Sequence, residues 1–176
     1  MKKINTAKIC LSALFCAIIS IFSQISVMTP LGVPFSLQTF AVTLCGCMLG
    51  SAYGTASVFI YIILGAVGLP IFTLFRGGAQ ILFGITGGFI WGFLPLAFLS
   101  GLSVKIKSKT AKFAVLLSGI VFCHLIGVLQ FKFVSSNSFL SAFIAASLPY
   151  LLKDTVCAML AYYTAQQIRK KSKGLF

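Results

Sequence analysis

Apolar residues fill this chain in runs separated by short gaps that are polar, glycine-rich or carry proline. A membrane-spanning helix needs about 20 mostly apolar residues, and the runs predict helices over about 6–27, 37–50, 52–69, 79–102, 111–131 and 149–168. The gap MTPLGVPF holds Pro30, Gly32 and Pro34 and predicts an extended loop. Gly50 and Ser51 turn the chain between the second and third helices. The run GLPIFTLFRGGAQ cannot stay helical, because Pro70 and the Gly77-Gly78 pair interrupt it, and Arg76 sits in that break. Residues 133–148 begin with the polar SSNS and are too short to cross twice, which predicts a loop with a brief helix resting on the outer face. Pro149 suits the first turn of the last helix, where a missing N–H costs no backbone bond.

Composition places this pattern in a membrane. Hydrophobic residues make up 59% of the chain, charged residues 9%, and the mean hydropathy is +1.07. The expectation is an all-α integral membrane protein, one six-helix transmembrane domain over 1–176 with no separate soluble domain. The basic start and apolar run at the N-terminus read as the first span and not as a cleaved signal, since no small-residue cleavage site follows.

The net charge of +13 would suggest a nucleic-acid partner in a soluble protein, but here it reports topology. Lys2, Lys3 and Lys8 form one group, Lys105, Lys107, Lys109 and Lys112 a second, and Arg169, Lys170, Lys171 and Lys173 a third. Cytoplasmic loops collect Lys and Arg, so both termini and the 102–112 loop are expected in the cytoplasm. Four crossings, then two, separate the groups, and both numbers are even as this requires.

Six cysteines, Cys10, Cys16, Cys45, Cys47, Cys123 and Cys157, lie almost entirely in apolar segments without a CxxC or clustered His, and read as small hydrophobes with no metal site. No GxxxxGK[ST] loop is present, so ATP cannot be used by that route. His124, beside Cys123, reads as a packed helix residue. One Asp, one His and scattered Cys offer no paired acid and base for an intramembrane enzyme.

Asp154 is the only side-chain carboxylate in the sequence. It falls one to two turns into the last helix, about 7 Å from that helix's start at 1.5 Å per residue. An ionisable group at such a depth is costly and marks a site with a partner or a wet cavity. A simple pairing with Lys153 is disfavoured at this level, because adjacent helix residues do not face each other. Arg76, Lys132 and Lys153 are the positive charges outside the three groups, all on the side of Asp154. Lys132 fits interfacial snorkelling. A pocket with one carboxylate and one or two cations suits a small ligand bearing NH donors at one end and an anionic group at the other. Gly77 and Gly78 read as backbone freedom near that ligand; Gly88 and Gly92 read as close helix packing. Gln38 and Thr39, at the start of the second helix, divide evenly between polar ligand contacts and helix capping.

Four stretches, VPFSLQTFAVTLCGCMLG (33–50), YIILGAVGLPIF (61–72), RGGAQILFGITGGFIWGF (76–93) and LPYLLKDTVCAMLA (148–161), together resemble the BioY family, the biotin-binding S-component of energy-coupling factor (ECF) vitamin transporters. The resemblance covers nearly the whole chain, with the four motifs in order. It implies a non-enzymatic, multi-pass protein of the bacterial cell membrane that captures biotin at the outer face and has no cofactor of its own. Asp154 matches the family's ligand-contacting acid. The basic residue usual three positions later is Cys157 here, and Lys153 stands where Gly is common, so Lys153 or Arg76 would take the ligand's carboxylate. Ile85 replaces a proline of the family's GPTGG segment. Apolar walls would come from Phe35, Phe75, Phe83 and Tyr150. Ala13 and Ala17 resemble the family's first-helix face that docks on a transmembrane coupling subunit, itself linked to two ATPases that would use the ATP. An S-component for another small vitamin is the alternative that the same fold permits.

Overall fold

The structure, a computed structural model, describes residues 6–30, 32–136 and 138–171. Lys2, Lys3, Lys173 and the Asn137 of SSNS lie outside the described residues. Helix α1 (Thr6–Gln24) leads into a two-stranded antiparallel hairpin, β1 (Ser26–Val27) and β2 (Phe35–Ser36), with Ser26 opposite Ser36 and Val27 opposite Phe35. Helix α1 therefore stops short of the expected residue 27, because the ladder takes those residues. After it come α2 (Gln38–Ala66), a 3-10 turn (Thr73–Phe75), α3 (Ala79–Phe83), α4 (Gly87–Ser103), α5 (Lys109–Ser135), α6 (Phe139–Ala146) and α7 (Leu148–Lys171).

Helix α2 is two antiparallel arms, 38–49 and 51–66. Gly50 lies between them at φ 77°, ψ 175°, a conformation open essentially to glycine alone. A straight helix would hold residues 46 and 54 about 12 Å apart, yet a Cβ on Gly54 would touch Gly46. The Gln38 side chain likewise reaches the hydroxyl of Tyr61, 23 residues on, at 2.7 Å. The small residues at 46 and 54 are what let the arms approach so closely.

The region expected as one helix over 79–102 is broken. Gly84 is extended (φ −80°, ψ −174°), which ends α3 and frees carbonyls that a continuous helix would have used. Gln130 of α5 satisfies them, its Nε2 donating to Leu82 O and Gly84 O at 2.8 Å each. A Cβ at Gly87 or Gly88 would strike Leu82, Gln130 or Ile126, so these glycines seat α4 against α5.

By length and composition α1 and α5 can each cross a membrane, and α6 with α7, bent by 47°, makes a further candidate; α2 passes the same test only if its two arms are counted as one helix. The arms of α2 and the 17 residues of α4 are shorter. Ile19, Val42, Val58, Tyr61, Phe72 and Leu96 form a fully buried centre, while Phe59, Val121 and Leu152 face outward, as a lipid solvent requires. Helix α6 is the brief helix between the last two long ones; Ala142 and Ala146 pack with Val33, Val128, Phe131 and Tyr150 in a second cluster at the hairpin end.

Candidate ligand-binding site

A cavity opens at the end of the bundle beneath the β1–β2 hairpin. Its walls are the hairpin (Val33 and Pro34 of its loop, Ser36 of β2), the start of α2 (Gln38, Thr39), the loop through Phe72 and Arg76, α4 (Phe89, Phe93) and α7 (Tyr150, Lys153, Asp154). The space open to the centre of a water molecule is about 80 Å³.

Local hydrogen bonds hold these walls in place. Ser23 Oγ donates to Ile71 O (2.6 Å), Gln24 Nε2 to Phe72 O (3.1 Å), and Phe75 N donates to Gln24 Oε1 (2.8 Å), which pins the irregular 71–76 segment to the end of α1. Gln38 bridges to Tyr61 and accepts from Thr73 Oγ1 at 3.2 Å. The hairpin is latched to α7: Tyr150 Oη donates to Val33 O at 2.6 Å and lies 2.8 Å from Thr29 Oγ1, and Lys153 Nζ donates to Ser36 O at 2.6 Å.

Asp154 is buried at the cavity wall. Its Oδ2 lies 3.1 Å from Nε2 of His124, whose Nδ1 is 2.9 Å from Ser147 Oγ. An ionised carboxylate only accepts, so Nε2–H donates to Asp154, and in the neutral imidazole Nδ1 is then the acceptor for the Ser147 hydroxyl. Oδ1 lies 2.7 Å from Lys153 Nζ. Two sequence expectations are thereby corrected. His124 is not merely packed: it supports Asp154. Lys153 and Asp154 do pair, because the four-carbon lysine stem folds back across the helix surface that fixed Cβ directions would separate. The signal for His124 was available, since a lone imidazole and a lone carboxylate in apolar helices each need a polar partner.

The Ser147–His124–Asp154 order is that of a hydrolase triad, also against the expectation of no such constellation. It is inverted for catalysis. Ser147 is fully buried between α6 and α7, and the carboxylate is the member that reaches the cavity.

The remaining expected site residues divide. Arg76 lies at the rim, exposed, and its guanidinium has no side-chain hydrogen bond or ion pair among the described residues. Gln38, Thr39 and Tyr150 are buried and line the cavity. Phe35 does not line the cavity; it packs on two residues that do, tilted on Tyr150 at 6.0 Å with Lys153 Nζ 4.7 Å from its ring centre. Phe83 is 74% exposed and Phe75 72%, and neither is a wall. In the short α3, Ile81 faces the cavity and Leu82 the core, which leaves Phe83 on the outer side; Phe75 is turned out by a left-handed backbone (φ 54°). Gly77 and Gly78 do not line the cavity either. They close the loop: Gly78, at φ 102°, donates its N–H to Gly65 O at 2.7 Å, and Gly77 packs on the Leu69 carbonyl with no room for a Cβ. Cys157 is buried away from the lining. Lys132 lies over the Phe133 ring at 5.6 Å, outside the cavity. Ala13 and Ala17 are exposed on α1, beside Leu14 and Ile21.

A helical membrane bundle with a capped, charged cavity at one end defines a small-molecule-binding transport protein more readily than any enzyme. The profile of the BioY family matches residues 1–174. The chain belongs to the BioY family. It is 37% identical over 161 residues to the biotin transporter BioY of Thermotoga maritima, covering 90% of this chain and 94% of that one. It is 39% identical over 165 residues to a probable biotin transporter BioY of Pyrococcus horikoshii, covering 92% and 96%. The crystal structure at 2.1 Å of the S-component for biotin from an ECF-type ABC transporter superposes with a TM-score of 0.85 at 26% identity, covering 94% of this chain and 92% of that one.

Proposed function

We propose that this chain is the biotin-binding S-component of an ECF-type vitamin transporter, and that Asp154 receives the ureido N–H groups of biotin. The observation that carries the site assignment is the buried carboxylate at the cavity wall, held from behind by His124 and from the side by Lys153. A carboxylate is acceptor-only, so the guest must bring donors, and the ureido ring brings two. Phe89, Phe93 and Tyr150 offer apolar surface to the bicyclic body.

The ligand's carboxylate goes to Arg76. Lys153 is engaged by Asp154, Ser36 and the Phe35 ring, whereas Arg76 stands at the rim without such a partner, and its planar fork suits a carboxylate bidentately.

The hairpin end faces outward and the basic end faces the cytoplasm, following the distribution of Lys and Arg. The exposed Ala13–Ala17 face docks on a transmembrane coupling subunit, and two ATPase subunits supply the energy that this chain lacks. Equilibrium binding of biotin, thiamine and riboflavin to the purified protein tests the reading. Biotin should bind alone among the three; equal or no preference would remove biotin as the substrate.

A further inference from the structure

A second recess lies at the opposite end of the bundle, around the reversal at Gly50. It is larger than the first, about 360 Å³ open to water centres, and three cations from distant parts of the chain border it: Lys8 of α1, Lys105 after α4 and Arg169 of α7. Their grouping goes beyond what topology requires. Lys107, Lys109, Lys112, Lys170 and Lys171 mark the same end of the chain but do not line the recess.

Two of the three cations are held in place. Arg169 Nη1 donates to Cys47 O at 2.8 Å, a carbonyl at the end of the first α2 arm, which fixes one edge of the guanidinium and leaves its other N–H groups to point elsewhere. Lys8 Nζ stands 5.4 Å from the Tyr53 ring centre. Ser51, Ala52 and Tyr53, the first residues of the return arm, complete the wall with Met48 and Leu49 at the end of the first arm and Gly101 at the end of α4; helix ends of both signs meet here, so the field of the recess is that of its three cations. The sequence has one side-chain carboxylate, Asp154, and it lines the other cavity.

We propose that this recess is an anion site for a phosphate group, taken in the membrane from the headgroup of an anionic phospholipid. A phosphate offers several acceptor oxygens to a guanidinium and two ammonium groups at once. The recess sits at the helix ends, where lipid phosphates lie if the bundle spans the bilayer. Bound there, the headgroup would tie α1, the α2 reversal and α7 together at the end away from the vitamin.

The full chain in detergent, titrated with dioctanoyl phosphatidylglycerol, dioctanoyl phosphatidylcholine and inorganic phosphate and read by native mass spectrometry, tests this. Phosphatidylglycerol should give one saturable adduct and phosphatidylcholine none at the same concentration. Displacement of that adduct by inorganic phosphate would support the phosphate site while naming free phosphate as an occupant. The triple variant Lys8→Gln/Lys105→Gln/Arg169→Gln should lose the adduct, and Lys107→Gln/Lys109→Gln/Lys112→Gln, with the same charge removed, should keep it. Lys105→Gln alone, at an exposed loop position, keeps the test open if the triple variant misfolds, and should weaken binding roughly fivefold. Equal adducts with both lipids, or equal loss in the two triple variants, would overturn the proposal.

Discussion

His124 and Asp154, 30 residues apart, meet at 3.1 Å between Nε2 and Oδ2, with Ser147 on the far side of the imidazole. The contact ties α5 to α7 directly behind the cavity and leaves the carboxylate one face for a ligand. Replacing His124 by Phe keeps a ring of similar size and removes the donor. Biotin affinity should fall by about 1–3 kcal/mol, the cost of an unsatisfied buried group, as measured by titration calorimetry. Ser147→Ala should weaken it less, since the imidazole remains.

The two cations near the site should separate by ligand. Arg76→Gln is expected to weaken biotin by roughly tenfold or more while leaving biotinamide, which lacks the charged end, nearly unaffected; a hydrogen bond to a charged group is worth about 1.5–3 kcal/mol. Lys153→Gln should change both ligands alike, because Lys153 acts on Asp154 and the hairpin. Affinities of the two ligands for each variant check this.

The reversal at Gly50 depends on a backbone conformation that a Cβ disfavours. Gly50→Ala should lower stability by about 1–3 kcal/mol, visible as a reduced Tm in detergent. Biotin should still bind below the new Tm, since the cavity lies at the other end of the arms.

Much of this was legible in the sequence. Pro and Gly breaks mark the hairpin loop, the Gly50 turn and the irregular 71–76 segment, because they are local backbone constraints. Asp154 stands out because a carboxylate in an apolar run needs compensation. The break at Gly84 was hidden, since it depends on Gln130 reaching across from α5 to take the freed carbonyls. The outward turn of Phe83 was hidden for a different reason: in lipid an apolar side chain is at ease on either face, so hydrophobicity does not say which side meets the cavity. The pairing of Lys153 with Asp154 escaped a rule about helix faces that does not govern long flexible side chains.

The exposed Ala13–Ala17 face makes a prediction about transport that binding does not share. Ala13→Leu/Ala17→Leu adds bulk to an outward surface. Biotin binding to the isolated protein should be unchanged, whereas uptake by cells that also express the coupling subunit and ATPases should fall sharply. Equal uptake by variant and wild type would move the docking face elsewhere.

The most direct measurement is the biotin affinity of Asp154→Asn in protein shown by its Tm to be folded. Asparagine keeps the shape but turns one acceptor into a donor that opposes a ureido N–H. The account predicts a loss of about 1.5–3 kcal/mol or more, roughly tenfold to more than a hundredfold. An affinity equal to that of the wild-type protein would contradict it.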